Sequence, residues 1–378
     1  MVALQSHGSG IAAPMRSRLL YLSTLLMKSS LSIACWMVWL CWSGFAVRAD
    51  EIYFPPQSGE WETVEPAAVG WDAAGLQKAL DYAQSQRSTG VVVLYRGRIL
   101  AEGNWQPREK DSGLLNRLLQ RGASERGVED VASAQKSVTS FLVGVAQEKG
   151  LLSLDDSVSK YLGESWAEGK PEEVRAIKIR HLLEMTSGLN EQLKVQHPAG
   201  SKWQYNTAAY AKTVDVLEKA AGMDRRQLTE KWLTGPIGMT DSTWIARRTG
   251  AANSFGFATT ARDLARFGLL VAAEGHWGTQ VVLADQKYLA AATHSSQRLN
   301  PFYGYLWWVN NDAFSAAARL QTPTAPADMF SAKGALGRRC YVVPSLDLVV
   351  TRLGNNPGNA AQFDARFWEL LMAAAPKK

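Results

Sequence analysis

The first 49 residues hold no acidic side chain, and the whole 378-residue chain has only three cysteines and five histidines. Each shortage excludes something. Cys35 and Cys41 fall inside the acid-free stretch and leave Cys340 alone beyond it, so residues 50–378 can form no internal disulfide and must be held by packing. The histidines, among them His181, His197, His276 and His294, are scattered without a His-Glu-x-x-His pattern, so neither a metal nor a cofactor is expected, and His181 reads as a packed helix residue. Gly-x-Ser-x-Gly and phosphate-cradling glycine loops are also missing, which argues against an α/β-hydrolase and a nucleotide-binding protein. What remains is 46% hydrophobic and 20% charged, a globular composition whose core is large enough to need no staples.

The net charge of +6 raises the question of a nucleic-acid partner, but four of the 41 basic residues lie in the first 49 positions. From Asp50 onward 37 basic residues face 35 acidic ones, so no such partner is expected. Arg16, Arg18, Lys28 and Arg48 frame an apolar run from Leu31 to Phe45, and Val47-Arg48-Ala49 offers a small-residue cleavage site. This reads as an export signal over 1–49, cut after Ala49, with Met27 as an alternative start and a periplasmic or secreted product. Membrane contact is then expected only through the signal. An uncleaved anchor and lipidation at Cys35 are the alternatives; the run is short of the ~20 residues a spanning helix needs, and Ser-Ile-Ala-Cys is a poor lipid-attachment box.

Asp72 can cap a helix bearing Leu76, Leu80 and Ala83 on one face and ending near Gln86. Two apolar runs around Arg96-Gly97 predict a hairpin, and 104–130 reads mostly as loop. Helical patterning follows from Ser133 to Gly222, with Val138, Phe141, Leu142 and Val145 as one stripe, then shorter helices at Arg180 to Met185, Ala208 to Ala220 and Arg226 to Leu233. Tyr305 to Val309, Cys340 to Val343 and Leu348 to Leu353 read as strands, and Ala360 to about Ala374 as a last helix with Phe363, Phe367, Leu370 and Leu371 on one face. Strands at both ends with helices between them predict an antiparallel sheet built from 50–132 and 256–378, flanked by helices, with a mainly helical domain at 133–255 inserted and a pocket at the seam.

Ser133-Ala134-Gln135-Lys136 is the strongest chemical signal, because three helical positions put a hydroxyl and an amine on one face. The amine can take the serine's proton if burial lowers its pKa, and the helix N-terminus favours the negative charge that develops. Spacing alone does not decide this. Ser157-Val158-Ser159-Lys160 repeats it in a polar turn, and Ser133 can equally be a structural cap. Cys340, in a strand-like run, reads as a buried, inert thiol. Trp203, Tyr303, Tyr305, Trp307 and Trp308 can line a cleft or simply fill the core.

Residues 133–144, opened by Ser133 and Lys136, resemble the nucleophile helix of the serine β-lactamase and D-Ala-D-Ala peptidase superfamily. Within it the chain is most similar to class C β-lactamase-like esterases and the 6-aminohexanoate-dimer hydrolase branch. Residues 153–158, 179–189, 238–244, 258–268 and 304–308 continue the likeness in order. The resemblance implies a β-lactamase-like α/β fold and a second motif, Tyr-x-Asn, at Tyr205-Asn206-Thr207, where Tyr205 carries proton chemistry, its phenol acidified by a nearby ammonium. On its own residues Tyr205 reads more readily as a packed aromatic. The third motif, Lys-Thr-Gly or a variant, has its counterpart at Lys333-Gly334-Ala335, in a register that can shift by one residue. The backbone N–H groups of Ser133 and Ala335 are then the expected oxyanion hole, and Thr207, Lys333 and Gly334 the expected substrate-binding positions.

Thr207 replaces the family's Asn and Gly334 its Thr, which points away from lactams. The reading is an exported serine hydrolase acting on a small-molecule ester or amide through an acyl-enzyme, with Ser133, Lys136 and Tyr205 catalytic and its deacylating water activated chiefly by Tyr205. The alternatives are a catalytically silent binding module of the same fold for peptidoglycan or another ligand, and a D-Ala-D-Ala carboxypeptidase or weak β-lactamase.

Overall fold

Strict alternation in the strands gives the sheet two buried faces. In chain order, the elements that build and frame it are α1 (Ala73–Ser85), β1 (Ser88–Tyr95), β2 (Arg98–Asn104), β3 (Glu129–Asp130), α2 (Gln135–Glu148), α3 (Thr207–Ala221), β4 (Thr243–Ala246), β5 (Phe255–Thr259), α4 (Ala261–Ala272), β6 (His276–Trp277), β7 (Gln280–Val281), α5 (Gln286–Thr293), β8 (Trp308–Val309), β9 (Phe330–Gly334), β10 (Arg338–Val343), β11 (Leu348–Gly354) and α6 (Ala360–Ala374). The computed structural model describes residues 51–106, 127–247, 253–315 and 319–377. The export segment expected at 1–49 lies outside the described residues, as does most of the loop expected at 104–130.

The main sheet runs β2-β1-β11-β10-β9-β8, antiparallel throughout. Val91, Val93, Tyr341, Val343, Leu348 and Val350 turn to one side, under α1 and α6. Val92, Leu94, Cys340, Val342, Val349 and Leu353 turn to the other, under α2 and α4. A period of two over neighbouring strands allows no other register without exposing one of these rows. The two chain ends thus supply the sheet, as expected. The β1–β2 turn has φ of 48° at Arg96 and 81° at Gly97, where a Cβ would overlap the Tyr53 carbonyl oxygen.

Every residue of α2 from Gln135 to Ala146 is buried, so the apolar stripe understates it: this is the central helix. Its polar residues are satisfied inside. Ser137 Oγ donates to Leu306 O at 2.8 Å, Thr139 Oγ1 shares a 2.9 Å bond with the Tyr210 hydroxyl, and Ser140 Oγ lies 3.2 Å from the Tyr288 hydroxyl. Burying Val138, Phe141, Leu142 and Val145 contributes about 1.5–3 kcal/mol each.

Two expectations are corrected. The strand predicted over Tyr305 to Val309 is only Trp308–Val309, because Leu306 turns to φ 61° to donate to Leu183 O. The helix predicted over Arg226 to Leu233 ends at Thr229 and widens into a π-type turn, Glu230–Thr234. A small sheet, β3-β5-β4, was not foreseen; it pairs Glu129 with Thr259 and Asp130 with Ala258, just ahead of Ser133.

Candidate active site

Ser133 does not open the α-helix itself. It sits in a 3-10 turn, Ala132–Ala134, entered through Ala132 at φ 52°, and α2 begins two residues later. A left-handed alanine is uncommon and must be held by its surroundings. Here its N–H donates to Asp130 Oδ1 at 2.8 Å.

Lys136 Nζ lies 3.3 Å from Ser133 Oγ and 3.5 Å from Thr207 Oγ1. The side chain is 2% exposed and its ammonium rests over the rings of Tyr210 and Tyr205, 4.4 and 4.9 Å from their centroids. Burial pushes its pKa down to about 7, Arg247 adding to the fall and Glu191 opposing it. Near neutrality the amine therefore exists in both forms and can accept a proton.

Tyr205 lines the same cavity as Ser133 and stacks on Trp308, centroids 6.2 Å apart at 22°. Its electrostatics run against expectation. Burial raises the phenol above its usual pKa, outweighing the Ser133 hydrogen bond, with Glu191 adding to the rise. The phenol is therefore not acidified as the resemblance implies, because the cost of desolvating its anion dominates. In this setting Lys136 is able to accept a proton near neutrality, while Tyr205 keeps its own.

α3 owes its start to the motif's asparagine, one position earlier than the family places it. Asn206 caps the helix by accepting from Ala209 N at 2.8 Å and anchors itself through Leu189 O at 2.8 Å. Glu191 adds a carboxylate to the same terminus, accepting from Thr207 N at 3.0 Å and Ala208 N at 3.2 Å. Thr207 faces Lys136 and is not part of the cavity wall.

A cavity of about 490 Å³ opens over Ser133, within the usual range for small-ligand sites. Tyr205, Trp308, Lys333, Gly334 and Ala335 line it from one side, Pro323, Ala361 and Ala365 from the other. Gly334 is required by packing: a Cβ there would overlap the Val131 carbonyl oxygen and sit 3.3 Å from Ser133 N. The end of β9 thereby runs directly alongside the Ser133 backbone, and Ala335 follows at the cavity wall.

Half-buried Lys333 donates to Gln321 Oε1 and lies 5.7 Å from the Trp308 ring centroid; desolvation lowers its pKa to about 8. Arg339, opposite it on β10, is occupied by Asp364 at 3.3 Å and by Gly334 O at 2.8 Å. Of the other aromatics, Tyr303, Tyr305 and Trp307 are core residues, and Trp203 packs on Tyr205 and Trp308.

A family model described as beta-lactamase matches residues 74–375. This chain belongs to the beta-lactamase family. It is thus a member of a family of serine hydrolases sharing one fold. An uncharacterised protein of Alkalihalophilus pseudofirmus is 24% identical over 300 residues, 72% of this chain and 85% of that one. A putative 6-aminohexanoate-dimer hydrolase from Bacillus anthracis superposes with a TM-score of 0.63 at 16% identity, covering 86% of this chain and 90% of the other. A class C beta-lactamase gives 0.61 at 17%, over 81% of this chain and 98% of the other. These structural likenesses carry the fold.

Sequence reading missed the charged side chains around the nucleophile turn. Asp130 is held by Arg247 at 2.7 and 2.8 Å, and Glu129 by Arg338 at 2.9 Å, all buried or nearly so. One signal was available: two acids at positions −4 and −3 from Ser133 in an otherwise apolar stretch.

Proposed function

We propose that the chain is a serine hydrolase that cleaves an ester or a small amide through an acyl-enzyme on Ser133. The observation that carries this reading is Lys136 Nζ at 3.3 Å from Ser133 Oγ, buried and with a pKa brought to about 7. Ser133 Oγ attacks the substrate carbonyl carbon while its proton passes to Lys136 Nζ. The carbonyl oxygen becomes an oxyanion against the backbone N–H groups of Ser133 and Ala335. Collapse breaks the bond to the alcohol or amine, which leaves with a proton delivered from Lys136 through the Tyr205 hydroxyl. Water then attacks the acyl carbon, giving its proton to Lys136, and the acid departs as Ser133 recovers its own. Trp308 and Gly334 bound the site, and Lys333 supplies a cation at its edge.

Thr207 turns towards Lys136, does not line the cavity and lacks the amide of the family's Asn, which supports esters over lactams. The reading includes export through residues 1–49 with cleavage after Ala49. Peptide sequencing of the secreted or periplasmic protein should find a start at Asp50, and membrane-bound protein retaining that segment would contradict it.

The functional test is a short-chain p-nitrophenyl ester and a fluorophosphonate probe. Turnover and covalent labelling of Ser133 are expected, and Ser133→Ala should lose both by at least about a thousandfold. Labelling that persists in Ser133→Ala would remove the assignment. Turnover of the ester should exceed that of a chromogenic cephalosporin.

A further inference from the structure

The turn that presents Ser133 is held by buried charges on two sides. Asp130 Oδ1 accepts from Ala132 N at 2.8 Å, fixing the left-handed residue ahead of the serine. The same carboxylate takes Arg247 in a two-point grip, Nε to Oδ2 at 2.7 Å and Nη2 to Oδ1 at 2.8 Å. Arg247 Nη2 also donates to Gln135 Oε1 at 3.1 Å, and that oxygen accepts from Phe257 N at 3.0 Å. From the other side Arg338 donates to the Asp130 carbonyl oxygen and to Glu129 Oε2. Gln135 is the residue between this network and Lys136.

Lys136 meets few charges. Around it stand the Ser133 and Thr207 hydroxyls, the rings of Tyr205 and Tyr210 from the α3 side, Glu191 from the loop before α3, and Arg247. Arg247 disfavours the ammonium and Glu191 favours it.

We propose that Arg247, clamped on Asp130, is a positioning residue for the Ser133–Lys136 pair: it fixes the turn ahead of Ser133 and places a permanent positive charge behind the lysine. Two functions thereby share one guanidinium. The grip on Asp130 is geometric, and the charge, anchored on Gln135 next to Lys136, acts on the proton that the buried lysine must be free to accept. Asp130 is the counter-charge paired with the guanidinium, so removing Arg247 and removing Asp130 should move Lys136 in opposite directions. This inference rests on the Ser133–Lys136 reading above.

The experiment is the rate of fluorophosphonate labelling of Ser133, measured from about pH 5 to about pH 9 in the full chain and its variants. The wild type should lose rate as pH falls through about 7, where Lys136 becomes protonated. Arg247→Met should move that midpoint up by about half a pH unit or more, and Asp130→Asn, which keeps an oxygen for Ala132 N, should move it down. Arg247→Lys should keep the wild-type midpoint with a lower maximal rate, since charge remains and the two-point grip does not. Midpoints unchanged in both charge-removing variants, or shifted in the same direction, would overturn the proposal. If circular dichroism shows Arg247→Met unfolded, Asp130→Asn decides: a downward midpoint supports it, and an unchanged or upward one overturns it. A wild type that is not labelled at Ser133 brings down the hydrolase reading itself, a failure visible without any variant.

Discussion

Lys136 is a conflict between stability and chemistry confined to one side chain. An amine whose pKa falls from 10.5 to about 7 on folding binds fewer protons folded than unfolded between those values. Stability contributed at this site therefore rises with pH from about 7 to about 10.5, and below about 7 the full cost of burying the ammonium is present. Lys136→Met should accordingly abolish activity and melt at least about 2 °C above the wild type near pH 6, with the gap closing as pH rises. A calorimetric pH series checks both signs; a variant that melts lower at pH 6 would show that the contacts of the lysine outweigh the cost of its desolvation. Tyr205 makes the complementary case. Its resemblance-based role required an acidified phenol, yet burial strips water from the phenolate and its pKa rises.

Between β9 and the nucleophile turn the decisive quantity is the absence of one carbon atom. Gly334 lets the strand lie against Val131 O and the backbone nitrogens of Ser133 and Ala134, while Arg339 Nη1 holds Gly334 O at 2.8 Å. Gly334→Ala must push strand and turn apart, at a cost of about 1–3 kcal/mol in stability. Since the displaced atoms include Ser133 N, kcat on a p-nitrophenyl ester should fall by at least about tenfold, beyond what a lower melting temperature alone explains. Steady-state kinetics well below the melting point separates the two; full kcat with reduced Tm would mean the oxyanion site lies elsewhere. The same element scale shows what the sequence disclosed. Ser133 and Lys136 are legible because their relation is local, three positions apart. Lys333 and Gly334 needed the family resemblance, and the Asp130–Arg247 grip, spanning 117 residues, left no periodic trace because an arginine pair after a short strand looks like any surface charge. The β3-β5-β4 sheet escaped for a related reason: its strands of two to five residues are too short to show alternation.

Across the whole molecule, both chain ends converge on one sheet, and the order β2-β1-β11-β10-β9-β8 sets β9, whose end runs beside Ser133, three strands from the N-terminal hairpin. That much was readable from strand-like runs at either end of the chain, because alternation writes itself into each strand regardless of distance. Cys340 lies in the middle of this assembly, on β10 between β9 and β11, 0% exposed, with Sγ 3.6 Å from Leu264 O. Burial raises its thiol pKa to about 12, so almost no thiolate exists at neutral pH and no reagent can reach it in the folded state. Its labelling rate should thus report opening of the sheet as a unit. In a denaturant series read by peptide-resolved mass spectrometry, Cys340 modification should stay near zero until the cooperative unfolding transition and then rise with it. Modification well before that transition would mean that α4 lifts from the β10–β11 face while the rest of the fold holds, and the two-faced sheet would then be a set of separable layers rather than one cooperative core.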